Sequence, residues 1–383
     1  MEKRSKKQEL IPHFTPTRIY CHEAAKDFPV TNRINKYWTN VEKSVYSSKS
    51  ELDEIEFLPN TGSGGLFGVA KHNHNAGRSI LVIKKDPSQI VVQEPAREGV
   101  VSMNVYRENN GQVFDVKLGS NCSFRCHYCY LYGAHPKNVE LSVYVNTNLM
   151  KGQMRQAVIN AKGKPVLFNA GEHTDSLALD PVTRLTSELV PLIPLLDNAK
   201  MELRTKSDGI SNLENLKHGG QTIVAWSIAP QAVIDLTEGE NAISFQRRLD
   251  AMVKVQKWGY PVAIKIDPIV PINNWKSEYS QAIKEMKTKL NPKLVHHFAV
   301  GVIRMGGKLK KIIDAIYPDM ILNKLDYSES HHGKATHPLG MREQIYKHII
   351  EQMNDAIPNL KYYISMEDEL VAEGIMKEMK ESR

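Results

Sequence analysis

Three of the chain's four cysteines fall within eight residues, as Cys122, Cys126 and Cys129 in a C-x3-C-x2-C spacing. Cysteine thiolates are the usual ligands of iron–sulfur clusters, four of them for a [4Fe–4S] cube. Three clustered thiolates with no fourth nearby suit a cube with one iron left open, and an open iron can take a small molecule. A structural zinc ion would ask for a fourth ligand in a closed tetrahedron, usually from paired C-x2-C or C-x2-H units. His127 and His135 are near in sequence, but no second pair follows. A disulfide would use two of the three cysteines and leave one over. Cys21 is remote from the others, and a lone cysteine of this kind is expected to be packed and inert.

The cysteine run directly follows an extended stretch at 113–118, and from there strand and helix patterns alternate. Strands are expected at 165–169, 201–204, 222–228, 262–266 and 297–303, with a short extended piece at 141–146. Helices are expected at 147–161, 181–194, 245–258 and 276–289; in the third, Phe245, Leu249, Met252 and Val253 share one face. Such alternation argues for a parallel sheet. About six strand–helix units are fewer than the eight of a closed barrel. Chemistry in these folds gathers at the C-terminal ends of strands. The cysteine loop, the Gly171–Glu172 turn, Lys206, Ser227 and Asp267 all fall there.

The flanks are less regular. A strand is expected at 17–22, and Pro29 and Thr31 mark a turn into a helix. Residues 59–79 form a Gly-rich stretch with His72 and His74 that fits neither the Walker A nor the dinucleotide-binding pattern, and a solvated loop is expected. Beyond 305 come a basic stretch (Lys308, Lys310, Lys311), a polar loop at 327–337 with His331, His332 and His337 at the surface, a helix at 340–355, a strand at 360–365 and a charged final helix. This divides the chain into an N-terminal α/β extension (1–105), a partial barrel (106–305) and a C-terminal extension (306–383).

Of the 383 residues 41% are hydrophobic, enough for a sizeable core. No apolar run is long enough to cross a bilayer, and the charged N-terminus lacks the apolar centre of a signal peptide. Cysteine usage points to a reducing cytoplasm. The net charge of +7 is compatible with a nucleic-acid partner, but many ordinary enzymes are as basic.

Beyond the cysteine spacing, with Tyr128 as the aromatic before its last member, an ordered series of short motifs resembles the spore photoproduct lyase family. These are radical S-adenosylmethionine (SAM) enzymes that repair a thymine dimer in DNA. The series runs through 17–20, 28–34, 126–131, 143–146, Thr174–Asp175 with Asp180, 204–207, 225–230, 259–261 and 266–269, covering most of 15–305. The resemblance implies a partial (β/α)6 TIM-like barrel of the radical SAM type, with N- and C-terminal extensions. It implies a [4Fe–4S] cluster on Cys122, Cys126 and Cys129, with SAM on its open iron. The reduced cluster cleaves SAM to methionine and a 5′-deoxyadenosyl radical, which abstracts hydrogen from substrate. Gly171 and Glu172 would bind the methionine end of SAM, Lys206 its carboxylate, and Ser227 the ribose or carboxylate. Tyr128 and Tyr130 match two tyrosines that assist hydrogen transfer. Implied partners are a DNA substrate and an external electron donor of flavodoxin or ferredoxin type. One position departs: the family's hydrogen-returning cysteine falls on Glu172 here. The same chemistry on a non-nucleic substrate, and a binding protein whose cluster or zinc is only structural, remain open alternatives.

Overall fold

The computed structural model describes residues 13–48, 51–52, 79–85, 89–94, 110–134, 140–331 and 333–381. His72, His74, His135 and His332 lie outside them. In chain order the strands are β1 (Arg18–His22), β2 (Glu42–Tyr46), β3 (Ile80–Lys84), β4 (Val91–Gln93), β5 (Gln112–Val116), β6 (Gly119–Ser120), β7 (Leu141–Tyr144) and β8 (Val166–Ala170). They continue with β9 (Ala199–Thr205), β10 (Thr222–Ser227), β11 (Val262–Ile269), β12 (Val295–Val302), β13 (Arg304–Gly306), β14 (Glu329–His331), β15 (Lys334–Thr336) and β16 (Tyr362–Ile364).

The central sheet has eight strands in the order β16-β12-β11-β10-β9-β8-β5-β4. From β5 to β12 every pairing is parallel. Every residue of β8 is buried, as are Thr222 to Trp226 of β10. Strands covered on both faces read as continuous apolar runs, which is why these were visible in the sequence. The six expected strands form the middle of the sheet; β16 adds a parallel strand beside β12, and β4 an antiparallel one beside β5. The edge strands β4 and β16 do not pair with each other, so the barrel stays partial.

Helices pack against this sheet by amphipathic faces. The helix Phe245–Lys257 starts at Ser244, whose side chain accepts from the Arg247 amide, and buries Phe245, Leu249 and Met252 as expected. It also buries Arg248. The expected helix at 181–194 is broken instead into Asp180–Thr183, Leu185–Leu189 and a 3₁₀ turn at Val190–Leu195. Arg184 sits at φ 56° between the first two, and Pro191 and Pro194 lack the amides a continuing helix needs.

A second sheet, β2-β1-β3-β7-β6, lies on the N-terminal side. Its β7 comes from the stretch read as barrel and pairs with β3, with Leu81 opposite Leu141. Cys21 is buried in β1, and burial pushes its thiol up to about 11. The expected polar loop at 327–337 is instead largely a hairpin, with β14 and β13 both antiparallel to β15. His337, expected at the surface, is 1% exposed. Its carbonyl accepts from Arg342 Nη1 at 2.6 Å, and its ring stacks on Tyr327, so the hairpin folds it under the helix Leu339–Ala356.

Candidate active site

The cysteine loop leaves the sheet after β5 and β6 and ends in the short helix Leu131–Ala134. Asn121 and Arg125 take left-handed backbone conformations, at φ 62° and 55°. Asparagine tolerates this region, whereas arginine needs outside support. Asn121 Nδ2 donates to the Glu140 carbonyl at 2.8 Å, and Arg125 Nη2 to Ser79 Oγ at 2.6 Å. The Cys129 amide bonds back to the Cys126 carbonyl at 3.0 Å, closing a turn around the last two cysteines. On the far side the Tyr317 ring lies tilted against His127, with ring centres 4.2 Å apart, and its hydroxyl lies 3.2 Å from that of Tyr132. The C-terminal segment thus forms one wall of the loop.

Cys126 is buried, and Cys122 and Cys129 are half-buried. Burial pushes the Cys126 thiol well up; Glu238, Cys129 and Cys122 add to this, and Lys206 opposes it. The three sulfurs and one ammonium therefore feel one another. Three thiolates are one ligand short of a closed zinc tetrahedron, whereas a cube takes each thiolate on a separate iron and can leave one iron open, so the three cysteines of this loop fit a cluster.

Behind the loop lies a dry ionic group. The Tyr128 hydroxyl donates to Glu238, and Glu238 accepts from Arg248 Nη2. Arg248 also donates from Nε to the Ile243 carbonyl at 2.8 Å and from Nη1 to the Ser227 carbonyl at 3.0 Å. The Lys206 ammonium lies over the Tyr128 ring, 5.6 Å from its centre. Burial works against that ammonium, but Cys126 and Glu238 outweigh it and its pKa is raised. Burial likewise disfavours the Glu238 carboxylate, yet Arg248 and Lys206 hold its pKa below the usual range.

Across the mouth of the barrel stands a second ionic group. Gly171 has φ 116°, and a Cβ there would meet the Arg204 carbonyl oxygen at 2.6 Å, so only glycine fits. The Glu172 carboxylate accepts from Arg204 Nη1 at 2.7 Å. Arg204 Nε donates to Glu202 at 2.9 Å. Glu202 is fully buried, with Lys265 at 3.5 Å and His297 at 3.6 Å. Burial alone would raise the Glu202 pKa, but Lys265, Arg204 and His297 carry it well below the ordinary range. The Tyr130 hydroxyl donates to the Glu172 carbonyl. Asp115 on β5 accepts from Asn169 at 2.7 Å, and burial with the nearby Glu172 pushes it up to about 6.

Asp175 joins the two strand ends. It accepts from the Leu177 and Ala178 amides, the Thr205 hydroxyl and the Lys206 amide, at 2.9, 2.9, 2.7 and 2.6 Å. Tyr128, Lys206 and the cysteines thus gather on one side, with Ser227 linked to them through Arg248. Gly171, Glu172 and Tyr130 gather on the other. The Glu172 carboxylate meets Arg204 rather than Lys206, a pairing not read from the sequence. Nor were Glu238 and Arg248 singled out. A Thr-Glu-Gly-Glu-Asn run at 237–241 signals a turn, but nothing in it points to the cysteine loop.

The sequence profile described as "Spore photoproduct lyase" matches residues 107–368, running past the region around 305 where the motif series fades. Spore photoproduct lyase of Geobacillus sp. (strain Y412MC61) is 22% identical over 336 residues, covering 87% of this chain and 91% of that protein. The Bacillus subtilis (strain 168) protein of the same name is 21% identical over 341 residues, again covering 87% and 91%. A solved spore photoproduct lyase complexed with dinucleoside spore photoproduct superimposes with a TM-score of 0.76 at 20% identity, covering 93% of this chain and 100% of that one. A variant with bound AdoMet and the same dinucleoside gives 0.75 at 19% identity, covering 92% and 99%. At these identities the solved structures establish the fold.

Proposed function

The chain belongs to the spore photoproduct lyase family, and from that premise we propose that it is a radical SAM lyase acting on a thymine photolesion in DNA. The observation that carries the reading is that a loop with three cysteines, the Lys206 ammonium over its Tyr128 ring and the Gly171–Glu172 turn bonded to its Tyr130 all stand at the C-terminal ends of parallel strands. Solved relatives hold a dinucleoside spore photoproduct, and one holds AdoMet as well.

Cys122, Cys126 and Cys129 would each take one iron of a [4Fe–4S] cluster. When bound, the reduced cluster supplies one electron that cleaves SAM to methionine and a 5′-deoxyadenosyl radical. Glu172 would receive the methionine ammonium by a charge-assisted hydrogen bond. Lys206 would take the methionine carboxylate, and Ser227 the ribose or carboxylate. Gly171 lets the backbone come close at the turn. An external donor of flavodoxin or ferredoxin type would supply electrons, in a cytoplasmic setting. Among the described residues no helix is long and apolar enough to cross a membrane.

Hydrogen return is where this chain differs. Glu172 stands where the family has its donor cysteine, and a carboxylic O–H is too strong to give hydrogen to a carbon radical. Tyr128 is bound to Glu238 in a buried group. Tyr130, 46% exposed beside Glu172, is the better placed donor.

The deciding experiment incubates reconstituted protein, SAM and a low-potential reductant with dinucleoside spore photoproduct, without oxygen or added thiol. The expected result is slow return of thymines with trapped side products and excess 5′-deoxyadenosine. Vigorous SAM cleavage with the dinucleoside untouched would overturn the substrate; absence of both iron and SAM cleavage would overturn the enzyme. SAM titrations should also show Glu172→Gln and Lys206→Met weakening binding by about tenfold to a hundredfold, the loss of one charged contact worth about 1.5–3 kcal/mol.

A further inference from the structure

The turn at residues 237–241 grips the cysteine loop at five successive positions. The Thr237 carbonyl accepts from the His127 amide at 2.9 Å. Glu238 accepts from the Tyr128 hydroxyl. Gly239, at φ 41°, brings its backbone so close that a Cβ would meet the Arg125 carbonyl oxygen at 2.9 Å and that of Phe124 at 3.1 Å. Glu240 lies 3.4 Å from Arg125 Nη1, and Asn241 Nδ2 donates to the Ser123 carbonyl at 2.9 Å. This saddle spans Ser123 to Tyr128, with Cys126 inside it.

Glu238 and Arg248 anchor the saddle to the sheet. Their side chains are 2% and 0% exposed. A buried pair is costly to desolvate and is compensated only if its remaining polar atoms are bonded. Here they are. Arg248 spends its other donors on the Ile243 and Ser227 carbonyls, and Glu238 its second oxygen on Tyr128. The pair therefore ties the cysteine loop and the end of β10 to one rigid point.

We propose that Glu238, held by Arg248, is a positioning residue that sets the cysteine loop against the SAM-binding strand ends through Tyr128 and the 237–241 saddle. This rests on the reading of Cys122, Cys126 and Cys129 as cluster ligands and of Ser227 as a SAM contact. Glu238 touches no reacting atom. It fixes how far the cluster's open face stands from the groups that hold SAM. Removing its charge loosens that distance without removing a ligand.

The test uses Glu238→Gln and the milder Asn241→Ala, which leaves the buried charges in place. Two readouts separate the proposal from the reading beneath it. In cluster-free protein, mass-resolved alkylation of Cys126, 7% exposed in the intact fold, should quicken about tenfold in Glu238→Gln and less in Asn241→Ala, as the loop opens locally. In reconstituted protein, iron and sulfide should stay near wild type while the SAM-induced change in the reduced cluster's EPR spectrum needs about tenfold more SAM, as for other supports behind a metal site. Tyr128→Phe combined with Glu238→Gln should add nothing to the worse single variant. Unchanged alkylation and unchanged SAM titration in Glu238→Gln would overturn the proposal. If Glu238→Gln does not fold, wild-type behaviour of Asn241→Ala in both readouts overturns it instead. Wild-type protein that binds neither iron nor SAM would sink the cluster reading, whatever the alkylation shows.

Discussion

Glu238 and Arg248 meet with 2% and 0% of their side chains exposed, whereas Glu172 and Arg204 meet with 39% and 17%. Both pairs stand beside the proposed SAM site, and both join a carboxylate to a guanidinium. The first is sealed, with every further bond going to loop or strand backbone and to Tyr128. The second is open at Glu172 and backed at Arg204 by a second carboxylate, Glu202. The sealed pair holds a shape. The open pair keeps a charge at the mouth of the barrel while the interior keeps the guanidinium in place. Stability and ligand binding should therefore respond oppositely to losing one partner of each.

The strongest test of that contrast is Arg248→Ala. It leaves Glu238 buried without its main partner, and breaking a buried pair from one side costs about 3–5 kcal/mol. Urea unfolding should show the loss. A change under about 1 kcal/mol, the range of exposed pairs, would mean that water reaches Glu238 and that the two pairs are alike.

Gly171→Ala comes next. The added Cβ would meet Arg204 backbone and side chain at 2.6 and 2.7 Å, in a conformation that L-residues rarely adopt. Strain and overpacking of this kind cost about 1–3 kcal/mol each. The neighbour that must move is Arg204, so the open pair should be disturbed as well. An alanine variant as stable as wild type would show that the mouth is pliable enough for Arg204 to move aside without cost.

The sequence made the sheet legible because its middle strands are buried on both faces, leaving short apolar runs between helical patterns. Strand ends followed, and with them Gly171, Glu172, Lys206 and Ser227. The cysteine spacing was legible because thiolate chemistry constrains it. The ionic groups that support these residues were not. Arg248 lies on the buried face of its helix, between Phe245 and Leu249. A periodicity argument assigns a charge at such a position to solvent unless its partner is known, and the partner lies back across a turn. His337 was misplaced for a related reason: a polar stretch reads as surface, whereas hairpin pairing folds it inward. The short strand β7 showed its extended form but not its partner, β3, which is far away in the chain.

A pH profile sharpens the comparison further. Asp115 rises from 3.8 to about 6, by burial first and by the charge of Glu172 second. A carboxyl whose folded pKa is raised keeps its proton when the unfolded chain has lost it. Stability therefore falls as pH rises from about 4 to about 6, by about 2–3 kcal/mol. His296 and His297 act the other way: burial lowers them from 6.5 to about 4 and about 3, so they favour the fold as pH rises. The Asp115 contribution is isolated by difference. Asp115→Asn should gain about 2–3 kcal/mol over wild type between pH 4 and pH 7. A flat difference would mean that the fold leaves Asp115 near its ordinary value, with water reaching the carboxyl and the charge of Glu172 cancelled by Arg204.

The smallest effect on stability should come from Glu172→Gln. The carboxylate is 39% exposed, so its ion pair with Arg204 is partly screened, and such pairs contribute about 0–1 kcal/mol. Losing it does not orphan the guanidinium, since Arg204 Nε keeps Glu202 at 2.9 Å. Glutamine also retains an oxygen that can accept from Arg204. Unfolding in urea should therefore differ from wild type by under about 1 kcal/mol, against several for Arg248→Ala. Relief of Asp115 from a neighbouring negative charge could even offset part of the loss, and would show as a lower Asp115 titration in the same variant. A loss above about 3 kcal/mol would place Glu172 among the groups that hold the fold. Glu172 would then be a structural carboxylate that happens to occupy the family's donor position, and another group would have to receive the SAM ammonium.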